Sequence, residues 1–130
     1  MMTVYQDLDQ QFIHGQWQHG TSTKIIKNIN PFTQTEIMSL AAASSVDVDS
    51  AYTAAEQAFQ QGVLNSIEVR KTVLQNLINI IQQRRAEIID WLIIESGSTR
   101  IKAGLEVDAA LGIIHESLAF PDQLKTEQLE

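Results

Sequence analysis

Cysteine is absent from the chain. That absence excludes a disulfide framework, a thiolate-held metal and a cysteine nucleophile, although it does not decide the cellular compartment. Positive charge is also scarce: nine Lys and Arg stand against sixteen Asp and Glu, for a formal net charge of −7. Such a balance excludes a phosphate-binding groove for nucleic acid, which needs clustered basic residues. Long hydrophobic runs are missing as well. A membrane helix needs roughly 20 apolar residues, whereas the longest candidate, Ile88 to Ile94, is interrupted by Asp90. The opening MMTVYQDLDQQ has neither a basic stretch nor an apolar core, so it does not read as a secretory signal. With only two prolines and six glycines, no low-complexity tract, repeat or interdomain linker is visible. A soluble, cytoplasmic protein is the expectation.

What remains is ordinary globular material. The 130 residues are 44 % hydrophobic and 19 % charged, which suits one domain at most. Residues 1–10 read as a polar leader. Gln11 to Trp17 alternates around Phe12, Ile13 and Trp17, with a bend or close approach at Gly15. Turn residues His19 to Ser22 follow, with Gly20 free to take positive φ. Lys24 to Asn30 is β-branched and reads as the hairpin partner of the first strand. Pro31 ends it, and Thr33 to Thr35 turns the chain into a third strand, Glu36 to Leu40.

The apolar period then lengthens. Ser44 or Ser45 caps a helix whose first turn carries Asp47 and Asp49, favourable against the positive end of the helix dipole. Val48, Ala51, Tyr52, Ala55 and Phe59 share one face, and Gly62 ends it. A second helix starts at Ser66, with a stripe of Val69, Val73, Leu77 and Ile81 widened by Leu74, Ile78 and Ile88. A break is expected at Gln82 to Arg85 and a stop at Gly97. A third helix runs from Ser98 or Thr99 to Phe120, with Pro121 as its terminator. Short antiparallel strands followed by three helices make an α+β chain. Its helical stripes are too wide for three short strands to cover, and no strand follows Leu40, so the core reads as unfinished.

Few residue groups suggest chemistry. Gly15 and Gly20 have a phosphate-loop spacing, but no Lys follows them, and no G-x-G-x-x-G occurs. They read as hairpin glycines. His14 and His19 form at most half a metal site. His115 and Glu116 are sequence neighbours and point apart on a helix. Glu68, Glu87, Glu95 and Glu106 read as solvated helix faces, since a general base needs a site around it. Ser96, Ser98 and Thr99 lack a histidine to activate them, so a helix stop and restart is expected around Gly97. Arg84 with Arg85 and Arg100 with Lys102 are too sparse for a phosphate groove. No catalytic, cofactor-binding or metal-ligating residue is assigned.

Five phrases in fixed order nonetheless carry a resemblance: FIHGQW (Phe12 to Trp17), NINPFTQTEI (Asn28 to Ile37), SSVDVDSAYTAAEQAF (Ser44 to Phe59), the long amphipathic helix after them, and ESGSTRIKA (Glu95 to Ala103). The chain resembles the opening of an aldehyde dehydrogenase, of the benzaldehyde and vanillin dehydrogenase type, over residues 11–120. The resemblance implies the first strands of a cofactor-binding domain and the helices beside its sheet, with Trp17, Pro31, Gly97 and Glu106 as structural matches. It implies NAD or NADP as cofactor of the intact family, whose chemistry is thiolate attack on the aldehyde, hydride transfer and thioester hydrolysis. The family's oxyanion asparagine, cofactor-phosphate contacts, nucleophilic cysteine and general-base glutamate all lie beyond the matched phrases. Gly62 and Gln60 depart locally from positions where relatives often carry tryptophan and proline.

The resemblance therefore implies a truncated amino-terminal portion of an aldehyde dehydrogenase, inactive alone. Residues 11–120 are then an incomplete segment of the cofactor-binding domain, and residues 121–130 a polar tail. The alternative is a non-catalytic helical interaction module that self-associates or pairs with the remainder of a split enzyme. Expected partners are accordingly a second copy, through exposed apolar helix faces, or the missing part of the enzyme. Nucleic acid and membrane are not among them.

Overall fold

The computed structural model describes residues 8–62 and 64–123. Most of the expected leader (residues 1–7) and tail (residues 124–130) lies outside the described residues. Four strands come first: β1 (Gln10–Ile13), β2 (Gln16–His19), β3 (Ile25–Ile29) and β4 (Glu36–Ala41). Four helices follow: α1 (Ser45–Gln61), α2 (Ile67–Gln83), α3 (Arg85–Ser96) and α4 (Arg100–Gln123). The chain divides into two compact units, residues 1–62 and 63–130.

In the first unit the strands form two separate antiparallel pairs, β1 with β2 and β3 with β4, where a three-stranded meander was expected. The reason is local. His14 and Gly15 both take positive φ (58° and 77°), and Ile13 pairs directly with Gln16. Two left-handed residues match the twist of flanking strands, so the chain folds back two residues after Ile13 instead of extending to Trp17. Phe12 and Trp17 become direct cross-strand partners, with ring centroids 5.1 Å apart. The β3–β4 pair is closed by Asn30, whose side-chain Oδ1 accepts the Phe32 and Thr33 amides at 2.9 and 3.0 Å. Gly20 does not use positive φ. It is needed for closeness, because a Cβ there would lie 2.3 Å from the Ala41 carbonyl oxygen and 2.4 Å from that of Ala42.

Helix boundaries follow stereochemistry. Ser44 is extended and its hydroxyl accepts the Asp47 amide, while the Asp47 carboxylate accepts the Ser44 amide, closing a capping box at the start of α1. Gly62 ends α1 and Gly97 ends α3, both left-handed at φ 66° and 69°. Ser66 caps α2. The expected break falls at Arg84 (φ −99°, ψ 12°), which divides the second expected helix into α2 and α3. Pro121 does not terminate α4, which continues to Gln123. The proline forfeits the backbone hydrogen bond to the Ser117 carbonyl and crowds that carbonyl with its ring, and only two further residues of the helix follow it.

The second unit is held by the packing of α2 and α3 against α4. Ile89, Ala103 and Val107 are buried together, with Ile81, Ile88, Leu92, Ile93 and Leu111 packed around them. Ile78 of α2 is 1 % exposed. Ion pairs brace the same helices: Lys71 to Asp122 between α2 and α4, and Arg85 to Asp108 and Arg100 to Asp90 between α3 and α4. The stripe expected on α2 is only half covered, since Val69, Val73 and Leu77 remain exposed, as do Val48, Tyr52 and Phe59 of α1. Five apolar residues are fully buried among the described residues, a small core for this much chain.

Candidate functional site

The densest polar cluster of the first unit lies where β4 passes into α1. Asp47 is buried, and its Oδ2 accepts the Thr21 amide and hydroxyl and the Ser44 amide, each at 2.8 Å. The Ser44 and Thr21 amides, reinforced by the two hydroxyls, hold its carboxyl well below the usual carboxylate range. The cluster fastens the loop after β2 to the start of α1 across 26 residues of sequence.

This junction is the one strand-to-helix passage among the described residues, and in α/β folds such a passage is where a dinucleotide pyrophosphate is held. The fit fails here on chemistry. The Ser44 amide is already donated to Asp47, and an incoming phosphate would meet an ionised carboxylate. The residues at this junction do not fit a dinucleotide pyrophosphate.

In the second unit, the serines around Gly97 have a partner that the sequence reading missed. Ser98 is buried; its Oγ lies 2.8 Å from Ser96 Oγ and accepts from Lys102 Nζ at 3.2 Å. The signal was available, because positions 98 and 102 are one helical turn apart. Lys102 also donates to Glu106, so its N–H bonds are used as donors and no lone pair is aimed at Ser98. Serine activation requires a base, and this arrangement supplies none. Thr99 is the helix cap, accepting the Lys102 amide at 3.3 Å.

The other candidates are dispersed. His14 sits in the β1–β2 turn and His19 at the far end of that hairpin, where its Nδ1 lies 3.3 Å from Asp9. Among the described residues no group of three or more His, Cys, Asp or Glu is placed to hold a metal. His115 faces a groove with Lys71, Gln75 and Asp122, whereas Glu116 lines a different one beside Ile113 and Phe120. Glu87 makes a two-pronged pair with Arg84 at 2.6 and 3.0 Å. Glu68 accepts the Ser66 hydroxyl at 2.6 Å, which lowers its carboxyl, and Glu36 is lowered by Ser39 and then Lys27. A carboxylate poised as a general base near neutrality is raised instead. Glu36, Asp47 and Glu68 are all displaced the other way.

Comparison with known proteins gives these elements a family. The aldehyde dehydrogenase family model matches residues 17–130. A vanillin dehydrogenase of Corynebacterium glutamicum is 39 % identical over 118 residues, covering 91 % of this chain and 24 % of its own length. A benzaldehyde dehydrogenase of Bacillus subtilis is 35 % identical over 125 residues, covering 95 % of this chain and 26 % of its own. The crystal structure of an NAD-dependent benzaldehyde dehydrogenase from Corynebacterium glutamicum superposes with a TM-score of 0.86 at 34 % identity, over 99 % of this chain and 29 % of that one. The chain spans about a quarter of the length of the curated relatives it matches.

Proposed function

Because the chain belongs to the aldehyde dehydrogenase family, we propose that it is a non-catalytic portion of an NAD-dependent enzyme oxidising an aromatic aldehyde to a carboxylic acid. One observation carries the reading. Residues 17–130 match the family, yet they contain no cysteine to act as a nucleophile. The similarity to vanillin and benzaldehyde dehydrogenases supports the aromatic substrate class, and the NAD-dependent relative supports NAD over NADP. The chain's contribution is structural: two hairpins and four helices, against which the parts holding aldehyde and cofactor are placed. No described helix is long and apolar enough to cross a membrane, and a cytoplasmic enzyme portion agrees with the acidic composition.

Two measurements test this. Calorimetric titration of the isolated chain with NAD is expected to give no binding heat at millimolar cofactor, and measurable affinity would contradict the assignment. The chain grafted in place of the matching 29 % of the Corynebacterium glutamicum benzaldehyde dehydrogenase is expected to yield a soluble enzyme that oxidises benzaldehyde with NAD. A chimera that fails to fold, or folds without activity, would overturn the reading.

A further inference from the structure

Five asparagines occur in the chain, and the backbone around each decides what its side chain can do. An asparagine carboxamide is open to attack by the backbone nitrogen of the residue after it. The attack needs that nitrogen free of a regular hydrogen-bond ladder, and a following side chain that does not crowd the ring being formed. Asn30 fails at once, because Pro31 has no N–H. Asn28 lies within β3, opposite Met38, and is followed by the β-branched Ile29. Asn76 and Asn79 are exposed, yet both lie inside α2, where the Leu77 and Ile80 amides belong to the intrahelical ladder.

Asn65 differs from all four. It is exposed and precedes α2, in neither helix nor strand. The residue after it is Ser66, the helix cap, whose backbone is extended (φ −72°, ψ 131°). The Ser66 amide stands before the first helical residue and so outside the ladder. Its hydroxyl is turned toward the helix, accepting the Val69 amide at 3.4 Å and donating to Glu68 at 2.6 Å. Serine also carries no β-branch to crowd its own nitrogen.

We infer that Asn65 is a site of spontaneous modification, at which the chain converts its own carboxamide to a carboxylate just before α2. The Ser66 backbone nitrogen gives up its proton to solvent base and attacks Asn65 Cγ. A Cγ–N bond forms, the Cγ–Nδ2 bond breaks, and the side-chain nitrogen leaves as ammonia. The product is a cyclic imide. Water then opens the imide at either carbonyl, giving aspartate, or isoaspartate with the main chain routed through Cγ. Water is the only co-reactant. The new negative charge arises at the amino-terminal end of α2, where the helix dipole favours it, and Ser66 keeps its cap. The modified chain therefore stays folded while differing in charge. Isoaspartate at this position makes it a substrate for the class of methyltransferase that esterifies that carboxylate. The inference is independent of the family reading.

The test follows the folded chain and the free peptide Leu64 to Glu68 at mildly alkaline pH by tandem mass spectrometry. Asn65 is expected to convert in the folded chain at a rate within about tenfold of the peptide's. Asn28, Asn76 and Asn79 are expected to stay intact over the same interval. An isoaspartyl methyltransferase with a labelled methyl donor is expected to label the aged chain. Aged Asn65→Gln stays unlabelled, because its longer side chain closes the corresponding ring far more slowly. Protection of Asn65 beyond about tenfold would show that the folded loop withholds the Ser66 nitrogen, and overturns the inference. Conversion of Asn76 or Asn79 as fast as that of Asn65 overturns the selection by backbone. Equal labelling of the wild type and Asn65→Gln places the isoaspartate elsewhere and removes the site.

Discussion

Replacing Ile78 by alanine separates the thin core from the exposed apolar surface around it. Ile78 is 1 % exposed on α2, whereas Ile113 on α4 is 68 % exposed. Both changes delete the same three carbons. At about 0.8 kcal/mol per carbon, the transfer loss for Ile78 is about 2.4 kcal/mol, and the cavity left behind brings it to about 2–5 kcal/mol. For Ile113 only about a third of that transfer term applies, about 0.8 kcal/mol, and the better helix propensity of alanine offsets part of it. At about 0.05–0.15 kcal/mol per residue, the 60 described residues of the second unit hold about 3–9 kcal/mol in all. Ile78→Ala therefore removes at least about a fifth of the available stability and up to all of it, and Ile113→Ala removes little. Urea unfolding followed by far-ultraviolet circular dichroism measures both, as midpoint shifts at constant slope. Equal midpoints for the two variants would mean that Ile78 is not a core residue, and the account of the second unit would fall with it.

Two further predictions concern the first unit. The Asp47 carboxyl is held below its ordinary range when folded, so its stabilisation is complete above about pH 4 and is lost as pH falls below that toward its folded value. Asp47→Asn should weaken the first unit at neutral pH and flatten its acid unfolding profile; superimposable acid titrations of both proteins would refute the role given to the cluster. Gly20→Ala should cost about 1–3 kcal/mol, because the new Cβ would press on backbone at 2.3 and 2.4 Å and disturb the bond from the Ser22 amide to the Ala42 carbonyl. Unchanged amide shifts along β3 and β4 in the variant would show that the close approach is not real.

The helix ends other than the last were legible because each is decided by one residue's stereochemistry, whereas α4 runs past the proline expected to stop it. Ser44, Ser66, Gly62 and Gly97 stand where the backbone needs a side-chain acceptor or a left-handed turn. Even the break at Arg84 was visible as a gap in the apolar stripe. Strand pairing was not legible, since it depends on His14, a residue whose type does not announce positive φ. Once His14 and Gly15 form a two-residue turn, β1 pairs with β2 and leaves β3 to pair with β4. Long-range polar links were equally hidden. Ser44 and Asp47 advertise a capping box, but nothing in the sequence says that Thr21 completes it.

For the candidate site, composition and geometry bear on different chemistries. The absence of cysteine excludes a thiolate nucleophile within this chain, while Asp47, which accepts the Ser44 amide at the one strand-to-helix junction among the described residues, leaves that junction a poor seat for a phosphate. Neither fact bears on the outer face of α4, where apolar residues at helical spacing remain open beside a glycine that nothing nearby requires. Folding alone does not explain a helix built this way: exposing Ile101, Leu105 and Ile113 gives no stability, and Gly112 lowers what α4 has.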